Sequence, residues 1–343
     1  MKKYLVVAAV GLAVAGSSAM GQANTCPAGG SPTTIPGAQA NVVRDACLQA
    51  VDVFQFIAPQ LGLALAGGNA TLGQGGSLGG IGHFTIGLRG NVFSGDLPQV
   101  TQFPAPRNQQ NPPSEELPSK NQFVGLPVLD AAVGLFKGIP LPLTNILGVD
   151  LLVNAMYVPS IGSAGDNVEI KPQSNFKLGF GGRLGLVQES LLTPGIGVTY
   201  IVRDLPTTNI IGNSSSVTFN INDASVKTSA WRVVANKNFI MFGIALGAGQ
   251  DHYNESATVN GTVKGLSAGG ITIPDQHIPD VALSQKLTRT NVFGDLSLNI
   301  PLLKFIIEVG QVTGGTVSLT NSFSSGKPDD SRLYGSLGLR FGL

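Results

Sequence analysis

The sequence predicts an all-β fold, a transmembrane antiparallel β-barrel of about twelve strands with ten to fourteen tenable, and three observations lead there. The first is the end of the chain. Leu333, Leu337, Leu339, Phe341 and Leu343 share one face with Gly335, while Tyr334, Ser336, Gly338, Arg340 and Gly342 share the other. This is the period of two that strand side chains follow, with one face suited to hydrocarbon and one to a polar or tightly packed interior. The second is composition: charged residues make up 12% and hydrophobic residues 43%, so charge is about half the ~25% usual in soluble domains. The third is that no later segment stays apolar for the ~20 residues a spanning helix needs, which leaves a closed barrel as the spanning structure.

The elements follow in order. Lys2 and Lys3 precede an apolar run, Tyr4 to Ala15, and then small residues from Ser17 to Ala23, the pattern of a secretory signal peptide cleaved after Gly21 or Ala23. Residues 1–21 are therefore expected to be signal, 22–60 a leader and helix, and 61–343 the barrel. Removal of Lys2 and Lys3 turns Lys+Arg 21 against Asp+Glu 20 into 19 against 20. So neutral a chain gives no support for nucleic-acid binding. Cys26 and Cys47 are the only cysteines and in an exported chain are expected to form one disulfide, closing a loop that contributes about 3 kcal/mol. Metal binding is the weaker reading, since structural zinc takes four ligands.

Val43, Ala46, Cys47, Ala50, Phe54 and Ile57 recur at helical spacing between Gln39 and Pro59. They predict an amphipathic helix ended by the proline, either a plug in the barrel mouth or a cap on the periplasmic rim. From Leu61 the alternation of Leu61, Leu63 and Leu65 reads as strand, followed by a glycine-rich turn region from Gly67 to Gly80. Strand texture then recurs over 84–92, 124–136, 147–158, 176–187, 196–203, 217–223, 226–235, 239–250, 257–264, 283–300, 303–312 and 332–343. Lengths near ten residues suit tilted membrane strands. The Pro/Gln/Asn-rich stretch from Leu97 to Gln122 reads as a long loop at one barrel end, and 213–216, 266–280 and 322–331 read as further loops. Glycine accounts for 46 residues, and its placement inside strands suggests close packing, curvature or room for a ligand.

Motifs for catalysis are missing from the sequence. His83, His252 and His277 are isolated and lack metal-binding spacing. No nucleophile elbow or phosphate-binding loop occurs. The glycines of 179–182 and 243–249 lie inside strands rather than at a strand-to-helix turn, so they do not make a dinucleotide fingerprint. No catalytic residue, metal site or cofactor is assigned. The charges are more informative: Arg89, Asp150, Lys177, Arg183, Arg203, Asp295, Lys304 and Glu308 all oppose apolar positions. A Lys or Arg facing lipid at the bilayer centre costs about 2–4 kcal/mol. These residues are therefore expected to line the lumen, as a salt-bridge network or as a pore lining of mixed sign.

Through the export signal, the dyad strands and the terminal Leu337, Leu339, Phe341 and Leu343, the mature chain resembles bacterial outer-membrane β-barrel proteins of Gram-negative bacteria. A helical segment ahead of a barrel with a low-charge lumen is similar in style to FadL-type transporters of hydrophobic compounds. The resemblance implies outer-membrane lipid, the barrel-assembly machinery and periplasmic chaperones as partners, with a small hydrophobic ligand as a further one. Two functions are expected from it. One is a non-enzymatic channel or passive transporter for small solutes, hydrophobic ones among them. The other is a structural or surface-interaction barrel with a filled, non-conducting interior.

Overall fold

The computed structural model describes residues 26–163, 165–268 and 271–342; the expected signal peptide with its cleavage site, and Leu343, lie outside the described residues. Among these, ten strands close a ring: β1 Phe84–Pro98, β2 Ser119–Phe136, β3 Asn145–Tyr157, β4 Phe176–Val187, β5 Gly195–Asp204, β6 Val217–Phe239, β7 Phe242–Val263, β8 Gln276–Ile300, β9 Leu303–Thr313 and β10 Arg332–Gly342. Each pairs antiparallel with the next. The last returns to the first in the register Leu339↔Leu88 and Phe341↔Ile86. Closure leaves no free edge in the ring, as a chain surrounded by hydrocarbon requires. Two short strands, Thr208–Asn213 and Val168–Pro172, extend the sheet beside the far half of β6.

The ring holds ten strands where the sequence shows twelve strand-like segments, because two pairs of segments are single strands. Residues 217–223 and 226–235 are joined through a bulge between Asn222 and Ser225, with Asp223 at positive φ. Such an extra residue bends a strand without ending it. Likewise 242–250 and 257–263 belong to the single strand β7, with Phe239 ending β6 before it. The stretch between them, with Asn254 and Ser256 outward, stands above the lipid belt and has no reason to be apolar outside. For the same reason Gln276–Asp280 is strand rather than loop.

Outward positions carry Ile86, Leu88, Phe176, Leu178, Phe180, Ile244, Leu246, Leu296, Phe305, Ile307, Leu333, Leu337, Leu339 and Phe341, all exposed on the isolated chain. This apolar belt is the face that meets lipid. One end of the ring has short connections, down to the residue pairs Ile240–Met241 and Pro301–Leu302, and the other carries the long loops 99–118, 158–175 and 314–331.

The lumen is occupied. Helix α1 spans Ile35–Ala66, 32 residues or roughly 48 Å at 1.5 Å per residue. Thr34 caps its start, the Oγ1 accepting from Gly37 N at 3.2 Å. The helix does not stop at Pro59, and Leu61, Leu63 and Leu65 are helical rather than strand. The ring begins only at Phe84, so residues 61–80 belong to the lumen filling and not to the wall, and 81–83 form an exposed link between them. Every place in the ring is taken by another strand, leaving 61–65 no partner edge, while the wall supplies caps for a helix end at this level.

Candidate functional site

Helix α1 enters the lumen from the long-loop end. Asn41 Nδ2 donates to Asn108 Oδ1 at 3.0 Å and Arg107 pairs with Asp45 at 3.1 Å. Asp52 accepts from Thr320 N, Asn321 N and Asn321 Nδ2 at 2.8–2.9 Å. The disulfide Cys26–Cys47 ties the leader to the same stretch. The helix therefore is not a cap on the short-turn rim. Its sides are buried against Phe219, Ile221, Val259, Ile278 and Val281 of the tall strands β6–β8, and Phe56 stacks on Phe323 of a long loop with centroids 3.9 Å apart. This half is packed like the core of a soluble domain. Burial raises Asp52, which lies in it above the lipid belt, to about 6 despite its three donors.

At the level of the belt the helix ends, and inward side chains take its carbonyls. Gly67 N donates to Leu63 O at 2.7 Å and Asn91 Nδ2 to Ala64 O at 3.2 Å. Arg203 donates to Leu65 O and Ala66 O, both at 3.2 Å, Arg232 to Ala66 O at 3.1 Å and Arg89 to Gly67 O at 2.9 Å. Three guanidinium groups thus converge on the negative end of the helix dipole, where cations are favoured and orphan carbonyls need donors. Arg89 is held by Asp130 at 2.8 Å and Arg232 by Asp251. Arg203 forms no ion pair among the described residues.

Below the helix, residues 67–80 run down the lumen without joining a sheet, and the wall offers acceptors to their backbone. Glu308 accepts from Asn69 N with both oxygens at 3.1 Å, and Asp295 from Gly73 N at 2.7 Å. Asn236 Oδ1 accepts from Gly75 N at 2.8 Å. Asp150 accepts from Leu78 N at 3.1 Å while paired with Arg183 at 2.7 Å. Side-chain acceptors replace the ladder that a buried backbone would otherwise lack. The approach is close enough to require glycine: a Cβ on Gly75 would stand 2.6 Å from Val234 O, and one on Gly197 of the wall would run into Gly75 O. Glycines inside the strands make room for this segment.

Six of the eight charges expected inside, Arg89, Asp150, Arg183, Arg203, Asp295 and Glu308, are buried there and hold the plug. Lys304 is half-buried in the short-turn mouth, and Lys177 is exposed at the long-loop rim, on the face shared by Met156 opposite it. Missed were Arg232, Asp251, Asp130, Asn91 and Asn236. Arg232 carried the same mark as Arg203, an inward charge beside an outward valine. The amides carried no such mark, since an asparagine is tolerated on either face. His83, His252 and His277 stay apart, and no group of three or more metal-binding side chains occurs among the described residues.

A cavity of about 20 Å³ remains beside the plug, between Leu72, Arg89, Arg183 and Arg340, room for about one water. The short-turn mouth widens into a vestibule of about 640 Å³.

No family model matches the chain and no curated protein matches it. Among solved structures it is similar to the transport unit of the autotransporter AIDA-I from Escherichia coli, at 8% identity and TM-score 0.36 over 86% of this chain and 98% of that one. The toluene transporter TodX of Pseudomonas putida gives 11% and 0.33 over 76% and 88%. The outer-membrane protease OmpT of Escherichia coli gives 9% and 0.30 over 76% and 96%. A single closed antiparallel ring with an apolar belt, short turns at one end and long loops at the other is the architecture of one membrane. The chain is a bacterial outer-membrane β-barrel protein whose lumen is filled by its own N-terminal segment.

Proposed function

We propose that the protein is a closed outer-membrane barrel that works at its long-loop end, as a structural and surface-interaction barrel whose interior is a core and not a conduit. The observation that supports this most directly is α1, which has buried residues on its apolar and polar sides alike and none exposed from Gly37 to Ala66. Withdrawing it would expose Phe54, Phe56 and the facing wall together, and each large side chain lost from such a core costs about 3–5 kcal/mol. Short turns lie on the periplasmic side of such barrels and long loops outside. The loops strapped to α1 through Asp45 and Asp52 therefore form the outer surface. No covalent chemistry enters this reading.

A second reading, passive transport of small solutes, is favoured by the segment 67–80. Polar side chains hold it rather than apolar packing, and it borders the vestibule. Conductance in a planar bilayer separates the two. The purified full chain should give no discrete steps, and neither should a variant carrying Glu308→Gln and Asp295→Asn, because α1 still fills the upper lumen. Steps in the variant alone would favour a gated transporter, and steps in the unaltered chain would overturn the closed-barrel reading.

A further inference from the structure

From the short-turn mouth we infer a binding site for one anionic, phosphate-headed lipid, its head group on Lys304 and Arg340 and its chain along the apolar rim. The inference concerns the vestibule and stands apart from whether the lumen conducts.

Lys304 and Arg340 are direct cross-strand partners on β9 and β10, and both line the vestibule of about 640 Å³. Like charges placed opposite one another on neighbouring strands destabilise a sheet. Several arginines inside the barrel meet a carboxylate, as in Arg89–Asp130, Arg183–Asp150 and Arg332–Asp96, while Arg203 and Arg289 spend their donors on backbone carbonyls. Here neither cation has an ion pair within 4 Å among the described residues. Lys304 makes no hydrogen bond there, and Arg340 donates only to Leu72 O, at 2.7 Å. Asp295, the nearest inward acid on β8, is turned to Gly73 N. Among the described residues the one carboxylate lining the vestibule, Glu189, is taken up by Asn238 N, Asn238 Nδ2 and Asn236 Nδ2. The third lining cation, Lys237, is engaged by the carbonyls of Ser190, Leu191 and Thr193. Two cations facing one cavity, with no anion in ion-pair range of either among the described residues, make a site that an anion would complete.

The rim shows which anion. Hairpin turns favour Asn-Gly or similar pairs because the central residues take positive φ. This mouth instead places Ile240 at φ 46 and Leu302 at φ 68, and Ile240 is 100% and Leu191 92% exposed on the isolated chain. A β-branched residue in that conformation is costly, and its hydrophobic side chain would gain nothing from water. Leu302 and Leu191 also line the vestibule, so the apolar exterior runs without a break into the cavity. A rim of this kind sits among the lipid chains of the inner leaflet, and the cavity then opens at head-group level, within reach of a phospholipid.

The test is native mass spectrometry of the full-length protein after incubation in mixed micelles with equal phosphatidylglycerol and phosphatidylcholine. One phosphatidylglycerol should be retained over phosphatidylcholine by about tenfold, the factor that one charge-assisted contact provides. Lys304→Gln should abolish that preference. It breaks no hydrogen bond, so the fold should persist, as heat-modifiable gel migration would verify; Arg340→Lys keeps the charge and should keep the preference. Equal retention of both lipids, or an unchanged preference in Lys304→Gln, would overturn the site. Complete displacement by an equal concentration of inorganic phosphate would overturn the lipid assignment, because the rim would then contribute nothing.

Discussion

Replacing Arg232 or Arg203 by methionine removes a guanidinium from the same helix end, yet the two changes should differ sharply in cost. Both donate to the last carbonyls of α1, Arg232 to Ala66 O and Arg203 to Leu65 O and Ala66 O. Arg232 is also the ion-pair partner of Asp251, which is 0% exposed. Arg232→Met therefore strands a buried carboxylate, for which breaking a buried pair costs about 3–5 kcal/mol. Arg203 has no carboxylate partner, and its Nε and remaining terminal nitrogen have no acceptor. Its removal gives up bonds worth about 1.5–3 kcal/mol in total but also relieves an unpaired buried charge. A net change of no more than about 1 kcal/mol is expected, with its sign set by how well methionine fills the space. The double change Arg232→Met with Asp251→Leu should recover most of the first loss, since removing both partners is often neutral. Urea unfolding of the folded protein in detergent measures this directly, read by Trp231, the only tryptophan and a half-buried neighbour of the site. Equal losses for Arg203→Met and Arg232→Met, or no recovery in the double variant, would refute this account of the helix end.

Other changes test other parts of the plug. Phe56→Ala, which removes the ring stacked on Phe323, should cost about 3–5 kcal/mol in the same urea assay and make loop 314–331 sensitive to protease. Gly197→Val should prevent residues 73–78 from seating and lower the urea midpoint, whereas Gly90→Val, with open space at its Cβ, should leave it unchanged. Burial holds Asp52 at about 6, above its ordinary 3.8, so the folded state keeps a proton that the unfolded chain releases. Its stabilising contribution is full below about pH 4 and is lost as pH rises through about 6. The stability difference between the unaltered chain and Asp52→Asn should shift accordingly between pH 4 and 7, and a pH-independent difference would contradict it. Reducing the Cys26–Cys47 bond, 21 residues apart, should lower the stability of the leader and upper helix by about 3 kcal/mol, seen as faster proteolysis of residues 26–47.

The wall of the barrel was legible because lipid imposes a period of two: Leu337, Leu339 and Phe341 had to face one way whatever the neighbouring strand. The same rule hid the strand number. Above the belt both faces of Asp251–Ser256 are polar, so one strand of β7 read as two. The plug was only partly legible. The helix over Val43 to Ile57 followed from its spacing, but its continuation through Pro59 did not, because Leu61, Leu63 and Leu65 imitate a strand and only the occupied ring excludes one. The glycine-rich stretch after it looked like a turn. Its role depends on Glu308, Asp295 and Asn236, which are more than 150 residues away in sequence. Lys177 obeyed the inward rule but lies at the rim, a height that alternation does not report.

Hydrogen exchange of the backbone amides of α1 distinguishes a permanent core helix from a removable plug. If the helix is a permanent part of the core, the amides of Phe54 to Leu65 should exchange in detergent or liposomes as slowly as those of the central wall strands β7 and β8, because both would open only with the whole barrel. Exchange of these amides orders of magnitude faster than the wall, with the wall still protected, would show that the plug leaves a standing barrel and that the lumen is a passage after all.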